Sequence, residues 1–262
     1  MSLAAVTIVF VRSHLHKKAR LVLRPVWSQI KRFGKYRIVN AECRWGIDLF
    51  DDLAKVAVLK EFRTAIDVGA NEGAFSKLLL IHCPSTIVHA FEPVPVTFNR
   101  LKQNLSDDPR VRLHPLAASN RTGSAVIRTF ANSERNTLVA ELTDSLVVDP
   151  IGKEKIETLR LDEFLDETKL DRIDFLKIDV EGFEMKVLEG CGRYLNPSTI
   201  PYIFFEFHRI GAPRSLVCGH TQLRDVDSLL DSKGYRFVTI YTQGVHKNEP
   251  IGTYNALYGP LG

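Results

Sequence analysis

From about residue 40 onward, short apolar runs alternate with longer segments whose apolar residues recur at helical spacing. The short runs are apolar on both faces, which is typical of strands buried in a parallel sheet, and the segments between them resemble crossover helices. The predicted strands are Thr64–Val68, Thr86–Phe91, Arg110–His114, Ile173–Ile178, Tyr202–Phe207 and Tyr235–Ile240. The predicted helices are Ala74–His82, Val96–Leu105, 182–190 and 222–232. The pattern therefore predicts an α/β fold, a mainly parallel sheet with helices on both faces.

One interval, at about residues 117–160, departs from this alternation. It contains a strand-like run at Ser124–Phe130, a polar stretch at Ala131–Ser145 and a second strand-like run near Ile156–Leu159. We interpret it as an inserted hairpin with a loop that crosses the sheet edge. Because long loops inside a compact domain are often functional, Asn132–Thr137 could close over a ligand or could be only a polar surface turn.

Composition indicates one folded domain and places the positive charge at one end of the chain. Of the 262 residues, 45% are apolar and 25% charged, which allows a sizeable core and excludes a disordered or collagen-like chain. The net charge of +4 is uneven, since residues 1–41 hold nine Lys or Arg and no carboxylate. We therefore divide the chain into a basic arm, residues 1–40, and a slightly acidic domain, residues 41–262. Four well-separated cysteines without a C-x-x-C pair are typical of reduced thiols in an intracellular protein.

The arm has an apolar run at residues 3–11 followed by basic residues. As a helix this run would rise only about 14 Å, against about 30 Å for a bilayer core. Two interpretations stay open: a helix packed on the domain with solvated bases, or a segment lying on an anionic membrane surface. Nucleic-acid binding is not expected, because stacking aromatics do not interleave with the bases. We expect a cytoplasmic protein, leave contact with the inner membrane face open, and leave the oligomeric state undetermined.

The strongest candidate site follows the first predicted strand, where Asp67–Gly73 reads Asp-Val-Gly-Ala-Asn-Glu-Gly. Glycines in such a turn let the backbone approach a ligand closely, although a tight turn without a ligand would use the same residues. Glu92 ends the next strand, 23 residues after Gly69. In doubly wound folds a carboxylate at this place binds the ribose hydroxyls of a nucleoside.

The turn favours a cationic nucleoside over a dinucleotide. It lacks the middle glycine of G-x-G-x-x-G, and Glu72 would bring negative charge toward a pyrophosphate. S-adenosylmethionine carries a sulfonium, an amino group and no phosphate, so it suits an acidic turn. The alternatives are an NAD-dependent oxidoreductase or epimerase and a non-catalytic cofactor-binding scaffold. Six residues become cofactor-binding candidates: Asp67, Gly69, Ala70, Asn71, Gly73 and Glu92.

Four motifs in order resemble the FkbM family of class I S-adenosylmethionine-dependent methyltransferases. They are D-V-G-A-N-E-G from Asp67, H-A-F-E-P from His89, L-K-I-D-V-E-G-F-E from Leu176 and F-F-E-F-H from Phe204. The resemblance covers about residues 62–210. It implies a Rossmann-like, seven-stranded sheet and methyl transfer to a hydroxyl of a sugar, glycolipid, polysaccharide or related small molecule. It also implies that Asp67, Gly69, Asn71 and Gly73 border the methionine and ribose of the cofactor, that Glu92 holds the ribose, and that Ala117 and Ala118 lie near the adenine.

Candidate catalytic residues follow two later strands, because ligands bind at the carboxyl ends of strands in open parallel sheets. Asp179 could hold the cofactor's amino group or the acceptor, and Glu181 could accept a proton or only charge a helix N-terminus. Glu206 lies in an aromatic strand, so its carboxylate needs a partner or faces the cleft. His208, with an ordinary pKa of about 6.5, is the candidate base, unless it is a hydrogen-bonded core histidine. Asp179, Glu181 and Glu206 could converge as oxygen ligands for Mg²⁺, but acids often lie at strand ends without a metal, and we expect none.

Overall fold

A computed structural model describes residues 45–130, 133, 136–138, 151–208, 221–244 and 253–260. The predicted arm, residues 1–40, lies outside these residues, as does most of the polar stretch Ala131–Ser145. Within the described segments, no helix has the length and apolar character needed to cross a bilayer.

The centre of the molecule is a seven-stranded sheet. Its strands are β1 Thr64–Val68, β2 Ile87–Phe91, β3 Val111–His114, β7 Phe175–Ile178, β8 Tyr202–His208, β9 Tyr235–Gly244 and β10 Thr253–Pro260. Their order in the sheet is β3-β2-β1-β7-β8-β10-β9. The first five strands in this order pair in parallel, whereas β10 is antiparallel to both β8 and β9. The predicted α/β fold with a mainly parallel, seven-stranded sheet is confirmed.

Among the described residues, six α-helices accompany the sheet. They are α1 Trp45–Leu53, α2 Ala74–His82, α3 Pro95–Leu105, α4 Leu161–Thr168, α5 Glu184–Gly190 and α6 Leu223–Ser232. One core cluster joins α1, α2 and α3 to one face through side chains such as Phe75, Phe175 and Phe204. Another joins α4, α5 and α6 to the other face around Leu176 and Phe205. Helices therefore cover both faces, as the alternating pattern predicts.

The interval at 117–160 forms a second, three-stranded sheet. Its strands are β4 Ala117–Ala118, β5 Gly123–Thr129 and β6 Gly152–Leu159. β6 pairs antiparallel with β5 and parallel with β4, so the inserted hairpin is confirmed. Ile127 and Ile156 pack with Val94, which follows β2, and this contact attaches the insertion to the sheet edge.

Several elements differ from the sequence prediction: α1 and α4 were not predicted, β7 begins at Phe175 rather than Ile173, and β9 runs to Gly244 rather than Ile240. Two further differences have a clear physical reason. Strand β10 was not predicted, because its apolar residues are interrupted by Asn255, which is 2% exposed in the middle of the strand. Helix α5 begins at Glu184 rather than at 182, because Glu181 and Gly182 both have left-handed backbone conformations, with φ of 54° and 100°. Cys83 and Cys191 are buried free thiols, and Cys43 and Cys218 lie outside the described residues.

Candidate active site

The turn between β1 and α2, residues 69–73, which we call the glycine turn, needs its glycines for packing within the protein. Gly69 has a φ of 74°, and a Cβ there would lie 1.8 Å from the carbonyl oxygen of Asp179. Gly73 has a φ of 90°, and a Cβ there would lie 2.5 Å from Leu105 Cδ1. The backbone NH groups of Gly69 and Ala70 both donate to the carbonyl of Phe91, at 3.0 and 2.9 Å. The glycines thus bring the turn against the ends of the neighbouring strands and helix, whereas sequence reasoning assigned them to close approach of a ligand.

Glu92 connects this turn to the end of β2. Its Oε2 accepts a hydrogen bond from the backbone NH of Asn71 at 3.1 Å, and its Oε1 accepts one from Val94 at 2.9 Å. Burial raises the pKa of Glu92 to about 7, although the two NH donors and Lys177 oppose the rise. Each carboxylate oxygen can still accept a further bond. The structure therefore places Glu92 at the carboxyl edge of the sheet, beside the turn, as predicted.

Asp67 lies beneath the turn. Its side chain is fully buried, its Oδ2 accepts a hydrogen bond from Ser76 Oγ at 2.7 Å, and its Oδ1 lies 3.1 Å from Lys177 Nζ. Lys177 also donates to the carbonyl oxygen of Gly69 at 2.9 Å. Burial disfavours the charged lysine, but Asp67 and Asp179 outweigh it and raise the pKa of Lys177. Asp67 thus exposes no surface in this structure, and its carboxylate contacts Ser76 and Lys177.

Glu72 does not contribute to the electrostatics of the turn as the sequence analysis supposed. Its carboxylate is turned outward, where Oε1 pairs with Arg100 Nη1 at 2.9 Å, and both side chains are about half exposed. The backbone of Glu72 is also held from α3, because Asn104 Nδ2 donates to its carbonyl oxygen at 2.9 Å. The argument that Glu72 repels a pyrophosphate is therefore wrong, since an exposed arginine neutralises it.

Three carboxylates meet at the carboxyl ends of β7 and β8. One oxygen each from Asp179, Glu181 and Glu206 lies within 4.8 Å of the other two. Glu206 is 4% exposed, and its Oε2 has no hydrogen-bond partner among the described residues. Burial, followed by the negative charges of Asp179 and Glu181, raises the pKa of Glu206 well above its usual range. We call Asp179, Glu181 and Glu206 the acidic triad.

Glu184, which the sequence analysis passed over, stabilises the turn that carries the triad. Its Oε1 accepts hydrogen bonds from the backbone NH groups of Val180 at 3.2 Å and Gly182 at 3.0 Å. The carboxylate at the start of α5 is therefore Glu184, and Glu181, with its φ of 54°, is left to project from the turn. The sequence E-G-F-E contains two acids, Glu181 and Glu184, and this pair was the signal that only one of them accepts the backbone NH groups at the start of α5.

The segment between β5 and β6 contacts both the glycine turn and the acidic triad. Ser133 Oγ donates to Asn71 Oδ1 at 3.2 Å, and Thr137 Oγ1 donates to the carbonyl oxygen of Glu181 at 2.7 Å. Of the predicted loop Asn132–Thr137, residues 132, 134 and 135 lie outside the described residues.

The remaining predicted residues fall into two groups. Ala117 and Ala118 form β4 and are buried beside β6, with Ala117 packed near Val94, two residues after Glu92. His208 ends β8, and its side chain lies outside what the structure describes.

Lys177 is the functional residue that sequence reasoning missed. The sequence does indicate such a residue, because a lysine within the apolar strand Phe-Leu-Lys-Ile is buried and a buried ammonium group requires a carboxylate partner. What the sequence does not reveal is that the partner, Asp67, lies on the adjacent strand at the same level, where Asp67 and Lys177 are paired in register.

Comparison with known proteins identifies the family. A family model described as the methyltransferase FkbM domain matches residues 67–237. Methyltransferase sdnD of Sordaria araneosa is 33% identical over 63% of this chain and 75% of its own. The 2-O-methyltransferase NoeI of Sinorhizobium fredii is 27% identical over 69% and 75%, and the hexuronic acid methyltransferase AglP of Haloferax volcanii is 30% identical over 76% and 80%.

The family match covers the glycine turn, Glu92, the acidic triad and α6. It sets aside both alternatives left open by the sequence, the NAD-dependent oxidoreductase and the non-catalytic scaffold. The chain belongs to the FkbM methyltransferase family and is an enzyme with S-adenosylmethionine as its cofactor.

Proposed function

We propose that this enzyme methylates a hydroxyl group of a sugar, glycolipid, polysaccharide or related small molecule. The acidic triad is the observation that carries this proposal, because carboxylates accept hydrogen bonds from sugar hydroxyls and these three lie at the carboxyl ends of parallel strands. The names of two relatives, a 2-O-methyltransferase and a hexuronic acid methyltransferase, support an oxygen acceptor of this class.

The described residues fit a cofactor with a ribose and two positive groups. Glu92 stands at the end of β2 with acceptor capacity left for ribose hydroxyls. Backbone of the Gly69–Gly73 turn would border the methionine portion, and Ala117 and Ala118 would lie near the adenine. The excess of carboxylates around Asp179 suits a sulfonium and an ammonium group better than a phosphate.

When bound, S-adenosylmethionine supplies an electrophilic methyl group and leaves as the uncharged thioether. The protein must place the acceptor oxygen in line with that methyl group and take the hydroxyl proton. We assign the proton to His208 and the orientation of the acceptor to Asp179, Glu181 and Glu206. A histidine has its ordinary pKa near 6.5, so at neutral pH it is mostly the free base.

Calorimetric titration tests the cofactor and the base together. The protein should bind S-adenosylhomocysteine and not NAD, and His208→Ala should bind the nucleoside unchanged while losing methyl transfer by about 10²–10⁴-fold. His82→Ala, at the last residue of α2 and thus at the opposite end of that helix from Gly73, is the matched control and should retain both properties. Full turnover by His208→Ala would remove His208 as the base without affecting the cofactor assignment.

For location, we propose a cytoplasmic protein whose residues 1–40 can contact anionic lipid. The basis is the run of nine Lys or Arg without a carboxylate in residues 1–41. Sedimentation with anionic liposomes should pellet the full chain more than a chain lacking residues 1–40. Equal sedimentation would leave the arm without a lipid role.

A further inference from the structure

The acidic triad brings three side chains from two strand ends to one place. Asp179 and Glu181 lie on the turn after β7, and Glu206 lies on β8 itself. One oxygen of each lies within 4.8 Å of the other two. Like charges this close repel one another unless a cation or a proton lies between them.

Glu206 provides an independent sign that a ligand belongs here. It is 4% exposed within the aromatic strand Tyr202–His208, and its Oε2 has no hydrogen-bond partner among the described residues. A buried carboxylate oxygen left unsatisfied in this way costs more than about 1–3 kcal/mol. The side chain nevertheless directs an oxygen into the triad rather than away from it.

The nearby lysine does not neutralise the triad. Lys177 Nζ lies 3.1 Å from Asp67 Oδ1 and 2.9 Å from the carbonyl oxygen of Gly69, and it reaches only Asp179 among the triad, at 3.5 Å. Glu184 adds a further carboxylate beside Glu206. Among the groups that the structure describes around the triad, negative charges therefore outnumber positive ones.

The backbone holds this arrangement in place. Glu181 has a left-handed backbone conformation, its carbonyl oxygen accepts the hydroxyl of Thr137, and Glu184 binds the NH groups on either side of it. The turn is thus fixed by neighbours that are not part of the triad. Ligands on a pre-arranged turn bind an ion without paying the full entropy of ordering.

We propose that Asp179, Glu181 and Glu206 bind one hard divalent cation, Mg²⁺ or Mn²⁺. This revises the expectation of no metal, which was based on acids at strand ends that need not converge. Oxygen ligands of Mg²⁺ at about 2.1 Å would lie roughly 3 Å apart when adjacent and roughly 4.2 Å apart when opposite. The triad oxygens all lie within 4.8 Å of one another, so their largest separation exceeds the opposite-ligand distance by about 0.6 Å at most, and water would complete the coordination.

Binding of the ion does not depend on the acceptor, whereas its role in catalysis rests on the proposed function. An ion at this place would bind the acceptor hydroxyl through oxygen and lower the pKa of that hydroxyl. The proton would still go to the base, and the carbon–oxygen bond would form as the carbon–sulfur bond breaks.

The test is direct metal binding by the full chain, with Mn²⁺ as the probe. After treatment with a chelator, Mn²⁺ titration followed by electron paramagnetic resonance should show one saturable site that Mg²⁺ displaces. Glu206→Gln and Asp179→Asn should weaken that site at least tenfold. Glu157→Gln, an exposed acid on β6, is the matched control and should bind Mn²⁺ as the unmodified protein does.

Two outcomes contradict the proposal. Absence of a saturable Mn²⁺ site in a protein that still binds S-adenosylhomocysteine shows that the triad does not take a metal. Equal Mn²⁺ affinity in Glu206→Gln places any ion elsewhere, and thermal melting of that variant shows that it is folded. If Mn²⁺ binds as expected but no hydroxyl acceptor is methylated, the metal site stands and the proposed function fails.

Discussion

At the scale of single residues, the site depends on charges held under and beside the glycine turn. Lys177 is the clearest case, because its ammonium joins the end of β1 to the end of β7 through Asp67 and the carbonyl of Gly69. Both ionised side chains of the pair are at most 5% exposed. Such a pair adds little net stability over an apolar pair, but the loss of one partner leaves a buried charge uncompensated.

Lys177→Met should therefore destabilise the protein by about 3–5 kcal/mol, because Asp67 would remain buried without its cation. Denaturant unfolding followed by circular dichroism measures this change. The double variant Lys177→Met with Asp67→Asn should recover most of the loss, since no charge is then left unpaired. A double variant as unstable as the single one would show that packing, rather than charge, sets the cost.

Because we propose that Glu92 holds the ribose, we expect the affinity for cofactor to depend on pH. Its pKa is raised to about 7 in the folded protein, so below that pH the carboxyl group is mostly protonated and accepts ribose hydroxyls poorly. Affinity for S-adenosylhomocysteine should fall as the pH decreases from 8 to 6, about tenfold per unit at most. Calorimetry across this range measures it.

The matched variant for Glu92 is Glu92→Gln, which keeps the size of the side chain and cannot titrate. It should bind the nucleoside weakly and with little dependence on pH. A pH dependence equal to that of the unmodified protein would assign the titration to another group.

At the scale of elements, the site is assembled by close contact between strand ends and by the inserted sheet. The turn after β1 fits against the end of β7 only because Gly69 has no side chain to meet the carbonyl of Asp179. The segment between β5 and β6 carries Ser133 to Asn71 and Thr137 to Glu181. The insertion thus links the glycine turn to the acidic triad.

The edge formed by β2, β3 and α4 should be sensitive to acid. His89 Nδ1 and His114 Nε2 lie 3.1 Å apart, and Phe164 of α4 packs edge-on against both rings. Burial lowers the pKa of each histidine to about 4, below its value of about 6.5 in the unfolded chain. Because the unfolded chain then binds more protons, stability is full above pH 6.5 and decreases as the pH falls toward 4.

Replacement of both histidines, His89→Phe with His114→Phe, should remove about 6 kcal/mol of this acid dependence, about 3 kcal/mol for each histidine. Denaturant unfolding at several pH values between 7 and 4 measures the change. His82→Phe is the control, because it removes a histidine that stacks on Phe50 outside this edge. The idea fails if the double variant and the control lose stability in acid equally.

At the scale of the whole molecule, periodicity predicts the sheet well because parallel strands are apolar on both faces. Helix α2 and strand β1 have the predicted ends, and the insertion contains the predicted hairpin. Strand β10 is not predicted, because the buried Asn255 interrupts its run of apolar residues. The ends of α5 depend on φ angles at Glu181 and Gly182 that composition does not reveal.

The sequence predicts which residues lie near the candidate site, but not the contacts between their side chains. Strand ends and the glycine turn identify Glu92, Asp179 and Glu206, because the fold brings the carboxyl ends of parallel strands to one edge. Which side chain faces solvent and which lies beneath the turn depends on neighbouring strands. That is why Asp67 is buried against Lys177, Glu72 points to Arg100, and the three carboxylates converge.

The most direct test of the account is the site of methylation. The protein is incubated with S-adenosylmethionine carrying a ¹³C-labelled methyl group and a panel of uronic acids, hexoses and their glycolipids, and the product is analysed by NMR. We expect the ¹³C-labelled methyl group on a hydroxyl oxygen, with the chemical shift of a methyl ether. Label on nitrogen alone, or no transfer to any member by protein that binds S-adenosylhomocysteine, would contradict it.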